Sequence, residues 1–312
     1  MSEIIGVDVG GTKIAAGVVD QHGNILKMAR KPTDTRTADS VVATILEVIE
    51  ELGAHDADAI GIGAAGFIEE DRSTVTFAPN VNWRNEPLGQ RVEEATGLHT
   101  VVENDANAAA WGEFRFGAAR EYNSAVVVTV GTGIGGGIIL DGKLVRGSRG
   151  FAGEIGHINM VEGGIPCGCG LRGCWEVYSS GGALLRAARK IARQDRERSA
   201  GMLELAAGDP EAITGLIITE AAQKGCKGAN DAFAEIGRWL GQGMADLSAL
   251  LDPEVFVLAG GVSEAGGVLL RPAREAFLER LTAREYRPEP AVLLASLGND
   301  AGIIGAADLA RE

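Results

Sequence analysis

Three of the four cysteines crowd into Cys167-Gly168-Cys169-Gly170-Leu171-Arg172-Gly173-Cys174, and His157 stands ten residues upstream of the first. Thiolates and an imidazole are typical ligands of a tetrahedral zinc ion, and interspersed glycines let one short loop close around it. The C-x-C-x4-C spacing is not that of a zinc finger. The plainer alternative is three buried thiols beside a surface histidine. Cys226 stands apart in sequence and is expected to be an ordinary core cysteine.

Asp8-Val9-Gly10-Gly11-Thr12-Lys13 puts an acid at a strand end and two glycines in the turn after it. Such glycines let successive N–H groups converge on a phosphate, while Thr12 adds a hydroxyl and Asp8 can hold Mg²⁺ through water. A Gly-Gly hairpin turn is the plain alternative. A second run, Gly131-Thr132-Gly133-Ile134-Gly135-Gly136-Gly137, contains G-x-G-x-x-G, but Ile138-Ile139-Leu140 continues it as a strand. A dinucleotide fingerprint must open a helix, so that reading fails. A Walker A reading of 137–143 fails as well, because Leu144 occupies the Ser/Thr position. Gly260-Gly261-Val262-Ser263 ends a later apolar run and is a third candidate turn.

Glu103-Asn104-Asp105-Ala106-Asn107 lies between an expected strand and an expected helix. An Asp at that point is most simply a helix N-cap. At the mouth of a cleft it can instead take the proton of a hydroxyl that attacks a γ-phosphate. Asn104 can both donate to and accept from neighbouring hydroxyls.

The elements that must carry these residues follow from periodicity. Strands are expected at 4–9, 15–19, 25–30, 59–62 and 100–102, with helices at 40–52, stopped by Gly53, and 105–117. From Ser124 the order begins again: an apolar strand, a glycine turn, then strands at 136–140 and 143–145. This weak repeat suggests two similar halves facing a cleft, although two ordinary hairpins would look the same. Helices at 180–194, 210–224 and 230–251, a strand at 253–258 and a terminal helix at 300–310 complete an alternating α/β pattern.

The chain has 312 residues, 45 of them glycine, and 46% are hydrophobic, which suits two globular domains. A net charge of −14 argues against a nucleic-acid or anionic-membrane binder. The start lacks the basic and apolar segments of a signal peptide, and the longest uncharged run is broken by glycines, so a cytoplasmic protein is expected.

Taken together, Asp8–Lys13, Glu103–Asn107, the glycines at 131–137, Glu154-x-x-His157 and Cys167-x-Cys169-x4-Cys174-x-Glu176 resemble the ROK family of bacterial sugar kinases, and most closely its actinobacterial glucokinases. The resemblance covers essentially the whole chain. It implies an α/β, two-domain actin-like (ribonuclease H-like) fold with an interdomain active-site cleft. The small N-terminal domain would comprise 1–118, with 300–312 returning to it, and the large domain 119–299. The resemblance further implies Asp105 as general base, and Gly66, Asn80, Asn104, Asp105, Glu154, His157 and Glu176 as sugar contacts. Asp8, Gly10, Gly11, Thr12, Lys13, Gly131, Thr132, Gly133, Gly260 and Gly261 would serve ATP and Mg²⁺, and His157, Cys167, Cys169 and Cys174 a structural zinc. Ala65 stands where the family more usually has proline before Gly66.

The implied reaction is ATP-dependent phosphorylation of D-glucose at its 6-hydroxyl, by a homo-oligomer, dimer or tetramer. Rival readings are a kinase for mannose, fructose or an N-acetylhexosamine, a polyphosphate-dependent enzyme, a non-catalytic sugar sensor, and a sugar-responsive repressor. The repressor is disfavoured because the first strand begins by residue 4, leaving no room for a helix-turn-helix, and because no basic surface is evident.

Overall fold

The computed structural model describes residues 3–54, 56–78, 81 and 83–311. Contacts group the chain into two compact units, one of Met1–Val127, Gly136–Gly153 and Ser296–Glu312, the other of Val128–Gly135 and Glu154–Ala295.

The first unit opens with an antiparallel meander, β1 (Ile4–Val9), β2 (Lys13–Val19) and β3 (Ile25–Pro32). Helix α1 (Ala38–Leu52) follows, started by a Thr37–Ser40 capping box and stopped by Gly53 in the left-handed region. β4 (Ala59–Ala64) then pairs in parallel with β1. A small antiparallel sheet of β5 (Phe67–Ile68), β6 (Val75–Ala78) and β7 (Trp83–Glu86) comes next, then α2 (Leu88–Thr96). β8 (His99–Asn104) joins β4 in parallel and runs directly into α3 (Asp105–Arg115). The sheet order is β3-β2-β1-β4-β8, and Val7, Ile14, Ile45, Ile60, Ile62 and Val102 are fully buried in its core.

The chain then repeats itself. β9 (Ala125–Val130), β10 (Ile134–Leu140) and β11 (Lys143–Leu144) are followed by helices α4 (Glu176–Ser179), α5 (Gly181–Gln194), α6 (Ala200–Leu205), α7 (Gly215–Gln223) and α8 (Lys227–Leu251). β12 (Val255–Ala259), α9 (Gly267–Arg280) and β13 (Ala291–Leu294) follow, with β13 parallel to β12. The order β11-β10-β9-β12-β13 matches that of the first sheet strand for strand, so the weak repeat in the sequence reflects a duplicated topology.

The last helix, α10 (Ala301–Leu309), packs on β1, β4 and α3 of the first unit. It sits so close that only glycine fits: a Cβ on Gly61 would lie 1.8 Å from the Ala306 carbonyl oxygen, and one on Gly305 1.7 Å from that of Ala108.

The expected helix at 210–224 divides into a 3₁₀ turn, Pro210–Ala212, and α7, because the Thr214 side chain caps a fresh start by accepting from Ile217 N. Cys226 is not a core residue. It is half-buried at the N-cap of α8, its thiol near the Arg198 carbonyl. Periodicity also missed the β5–β7 sheet, α2, α6, β13 and α9, which carries Pro272 in its interior. Among the described residues, no helix is long and apolar enough to cross a membrane.

Candidate functional site

Within the first unit, the ends of β1, β4 and β8 bring the expected carboxylates together. The helix cap is Asn104, not Asp105: the Asn104 side chain accepts from Asn107 N, and α3 begins at Asp105. Asn104 Nδ2 also donates to the carbonyl of Gly66 at 3.1 Å. Gly66 has φ +140°, and a Cβ there would lie 2.5 Å from the Phe77 carbonyl oxygen, so the position requires glycine. Asp105 accepts from Ala106 N through Oδ1 at 2.9 Å. Burial raises its pKa above the ordinary carboxylate value, more than that hydrogen bond lowers it.

Asp8, at the end of β1, is pushed up to about 6, first by burial and then by the nearby Asp105 charge, with Lys13 opposing. The turn beyond it is closed by Gly10 N donating to Lys13 O at 3.1 Å, and Gly11, Thr12 and Lys13 are exposed. The turn is braced from β3, since Thr33 Oγ1 donates to Gly10 O and Thr33 N to Thr12 O. Asn80 lies outside the described residues.

In the second unit, β9 ends in the turn Gly131-Thr132-Gly133, closed by Gly131 N donating to Gly133 O at 3.0 Å. The start of α5 is fastened to it, Gly181 N donating to Gly131 O at 2.8 Å, and Thr132 is exposed. A strand follows the turn, as expected, and not a helix. Gly260, at φ +82°, leads β12 into the 3₁₀ turn Gly261–Ala265, and a Cβ on it would meet Val130 O at 2.7 Å.

The cysteines lie on a hairpin that follows the Ile155–His157 turn. It is laced by backbone bonds: Met160 N and Gly173 O at 2.7 Å, Gly173 N and Ile165 O at 2.8 Å, and Trp175 N and Ile158 O at 2.8 Å. Donor atoms of His157, Cys167, Cys169 and Cys174 all lie within 4.8 Å of one another. Cys167 Sγ is 3.7 Å from His157 Nδ1, and Cys169 Sγ is 3.6 Å from Cys174 Sγ. Ligands of a tetrahedral zinc, with Zn–S of about 2.3 Å and Zn–N of about 2.0 Å, sit roughly 3.5–3.8 Å apart, so the residues fit that ion.

The carboxylates surround this set. Cys167 Sγ donates to Glu176 Oε1 at 2.8 Å, and burial pushes the Cys167 thiol up. With Nδ1 of His157 turned to the thiols, its Nε2 lies 3.9 Å from Glu154 Oε2. The other Glu176 oxygen lies against the 131–133 turn, where a Cβ on Gly133 would be 2.4 Å away.

Several supporting residues escaped the sequence reading. Trp175 is fully buried, donates Nε1 to the Trp239 carbonyl, and leaves a Cβ on Gly243 of α8 only 2.2 Å from its ring. Tyr178 packs at a tilt against Trp239 and accepts from Ile165 N at 2.9 Å. Arg146 pairs with Glu103 in the first unit. Only the position of Trp175, between Cys174 and Glu176, could have flagged any of them.

A model of the ROK family matches residues 4–312. The glucokinase of Streptomyces coelicolor is 50% identical over 313 residues, spanning 100% of this chain and 98% of the relative. A ROK family glucokinase from Streptomyces griseus, solved in complex with glucose and AMPPNP, superposes with TM-score 0.91 at 50% identity, covering 99% of each chain. A ROK hexokinase from Thermus thermophilus superposes with TM-score 0.75 at 34% identity, covering 99% of this chain and 98% of its own.

Proposed function

The chain belongs to the ROK family, and from that premise we propose that it transfers the γ-phosphoryl group of ATP to the 6-hydroxyl of D-glucose. The observation that carries this reading is the 50% identity, end to end, to a glucokinase solved with glucose and AMPPNP. The local chemistry agrees with it.

Asp105 accepts the proton of the 6-hydroxyl as that oxygen attacks phosphorus. A carboxylate with a raised pKa suits the task, because a general base works best when its pKa approaches the operating pH. Asn104, held by its cap and by Gly66, presents a fixed amide to a neighbouring hydroxyl. Glu154, His157 and Glu176 supply further acceptors and donors for the sugar, Gly66 lies beside Asn104, and Asn80 is assigned to the same sugar-binding set. The turns at 10–13 and 131–133 offer backbone N–H groups to the phosphates, and Gly260-Gly261 receives the adenosine. Asp8 would hold Mg²⁺ through water, and the ion's charge would oppose the burial and the Asp105 charge that together raise its pKa.

His157, Cys167, Cys169 and Cys174 would hold zinc, which would order the hairpin and lock the His157 tautomer without acting on the phosphate. With Nδ1 on the metal side, Nε2–H is left for Glu154 or a sugar hydroxyl. The enzyme would work in the cytoplasm. The test is a coupled assay over glucose, mannose, fructose and N-acetylhexosamines, with ATP and with polyphosphate as donors. Glucose with ATP should give the highest kcat/KM, and faster turnover of another sugar would overturn the substrate assignment.

A further inference from the structure

Buried Glu103 and half-buried Arg146 form an ion pair to which the phosphoryl-transfer scheme gives no part. Arg146 Nε donates to Glu103 Oε2 at 2.6 Å, and Glu103 is 3% exposed. The other carboxylate oxygen accepts from Asn104 N and from Asn107 Nδ2, each at 3.0 Å. One carboxylate therefore holds the last residue of β8, the first turn of α3 and a residue beyond β11.

Arg146 also begins a folded loop. Ala152 N donates to Arg146 O at 3.0 Å, and Phe151 meets Phe67 edge to face at 5.2 Å. Gly150, at φ +85°, lies so near β5 that a Cβ would be 2.1 Å from Ile68 O. Gly66, whose carbonyl accepts from Asn104, immediately precedes Phe67. The loop thus grips the β8–α3 junction twice, directly through Glu103 and indirectly through β5, and it ends at Gly153, the residue before Glu154.

Such a pair adds little stability over an apolar replacement, because the Glu103 carboxylate loses its water and the Arg146 guanidinium much of its own. This network also leaves Arg146 Nη2 and Asn107 Oδ1 buried without partners among the described residues. An arrangement serving stability alone would satisfy or omit such atoms. It does fix, from three directions, the backbone that carries Asn104 and Asp105.

We infer that Arg146, acting through Glu103, is a positioning residue for phosphoryl transfer, setting the orientation of Asn104 and Asp105. The inference rests on Asp105 being the base. Misplacing reacting groups by about 1 Å costs on the order of 10²-fold in rate. Folded Arg146→Gln should therefore lose ten- to a hundredfold in kcat with glucose, while KM for ATP stays within twofold. Arg146→Lys, which keeps a charged donor, should recover part of the loss. Should Arg146→Gln not fold, the double variant Glu103→Gln/Arg146→Gln removes both charges together and should show the same loss in kcat.

A folded variant of either kind whose kcat and glucose KM both lie within twofold of the parent overturns the inference, even if its melting temperature falls. Asp105→Asn is assayed beside them. If that protein keeps the parent kcat, the reading of the base fails, and the positioning role is judged on glucose KM, which Arg146→Gln should still raise through Asn104. An unchanged KM would then overturn it.

Discussion

A general base in a kinase must stay ionised at neutral pH yet bind a proton well enough to help in the transition state. Asp105, the proposed base, is enclosed at the head of α3, where burial raises its pKa above the ordinary carboxylate value against backbone hydrogen bonds that include Ala106 N at 2.9 Å. Asp105→Asn keeps shape but takes up no proton, so kcat should fall by roughly 10²–10⁴ while glucose KM changes less. A near-normal kcat would reduce Asp105 to a structural residue. In the parent enzyme, the acid limb of kcat/KM should lie above the ordinary carboxylate value of 3.8. Asp8 gives a second test, with its sign set by linkage. Its folded-state pKa is raised from 3.8 to about 6. Between these values the folded protein keeps a proton that the unfolded chain releases, so stability falls as pH rises through that window and stays reduced above it. Asp8→Asn removes the penalty. At neutral pH the ligand-free variant should resist urea better, by up to about 3 kcal/mol, while losing activity. A variant no more stable than the parent would mean that Asp8 ionises normally.

At the scale of elements, the hairpin carrying the candidate metal ligands runs directly into the short helix α4. Glu176 follows Cys174 by two residues, so ordering the ligand fixes the carboxylate, and Trp175 between them is anchored on α8. Gly163, Gly170 and Gly173 all take positive φ, and a bound ion would add to the order that the backbone bonds give this hairpin. Stripping the metal with a chelator, or replacing Cys169 by Ser, should abolish glucose binding and leave nucleotide binding largely intact, as calorimetry with each ligand would measure. Metal analysis should find about one zinc per chain. Active protein purified free of zinc would contradict this account.

At the scale of the molecule, the chain leaves the first unit and later returns to it. Glu113, fully buried, accepts from Ala118 N on the way out and from Ser296 N and Leu297 N on the way back. The returning helix α10 then settles on glycines of β1, β4 and α3, and Trp111 Nε1 donates to Asp308 at 2.9 Å. This close packing is sensitive to one methyl group. Gly305→Ala should destabilise the protein by about 3 kcal/mol, the upper range for overpacking, because the Ala108 carbonyl lies where the methyl must go. Gly267→Ala, at the open start of α9, is the control and should be neutral or slightly stabilising. Denaturant midpoints compare the two, and equal midpoints would refute the packing argument.

Much of the site was legible in the chain itself because its chemistry is local. The candidate ligands His157, Cys167, Cys169 and Cys174 lie close together in sequence, the proposed phosphate turns at 10–13 and 131–133 each follow their own strand, and Asp105, the proposed base, directly follows β8. The duplication was visible in part, as a weak repeat of strand, glycine turn and strand, but its strand order was not, since β13 was not read. Other features depend on partners far apart in sequence. Periodicity could not reveal the Glu103–Arg146 pair, the grip of Glu113 on Ser296, or the bracing of Trp175 by α8, since each joins residues dozens to hundreds of positions apart. Nor could it tell that Asn104 and not Asp105 caps α3, because either side chain can cap and only the backbone path selects one. Short β5–β7 and Pro-containing α9 carry too weak a local pattern to be read, and tertiary packing alone holds them in place. The sequence by itself determined which groups could do chemistry; the fold decided which buried partners hold them still, because burial and long-range pairing exist only once distant segments meet.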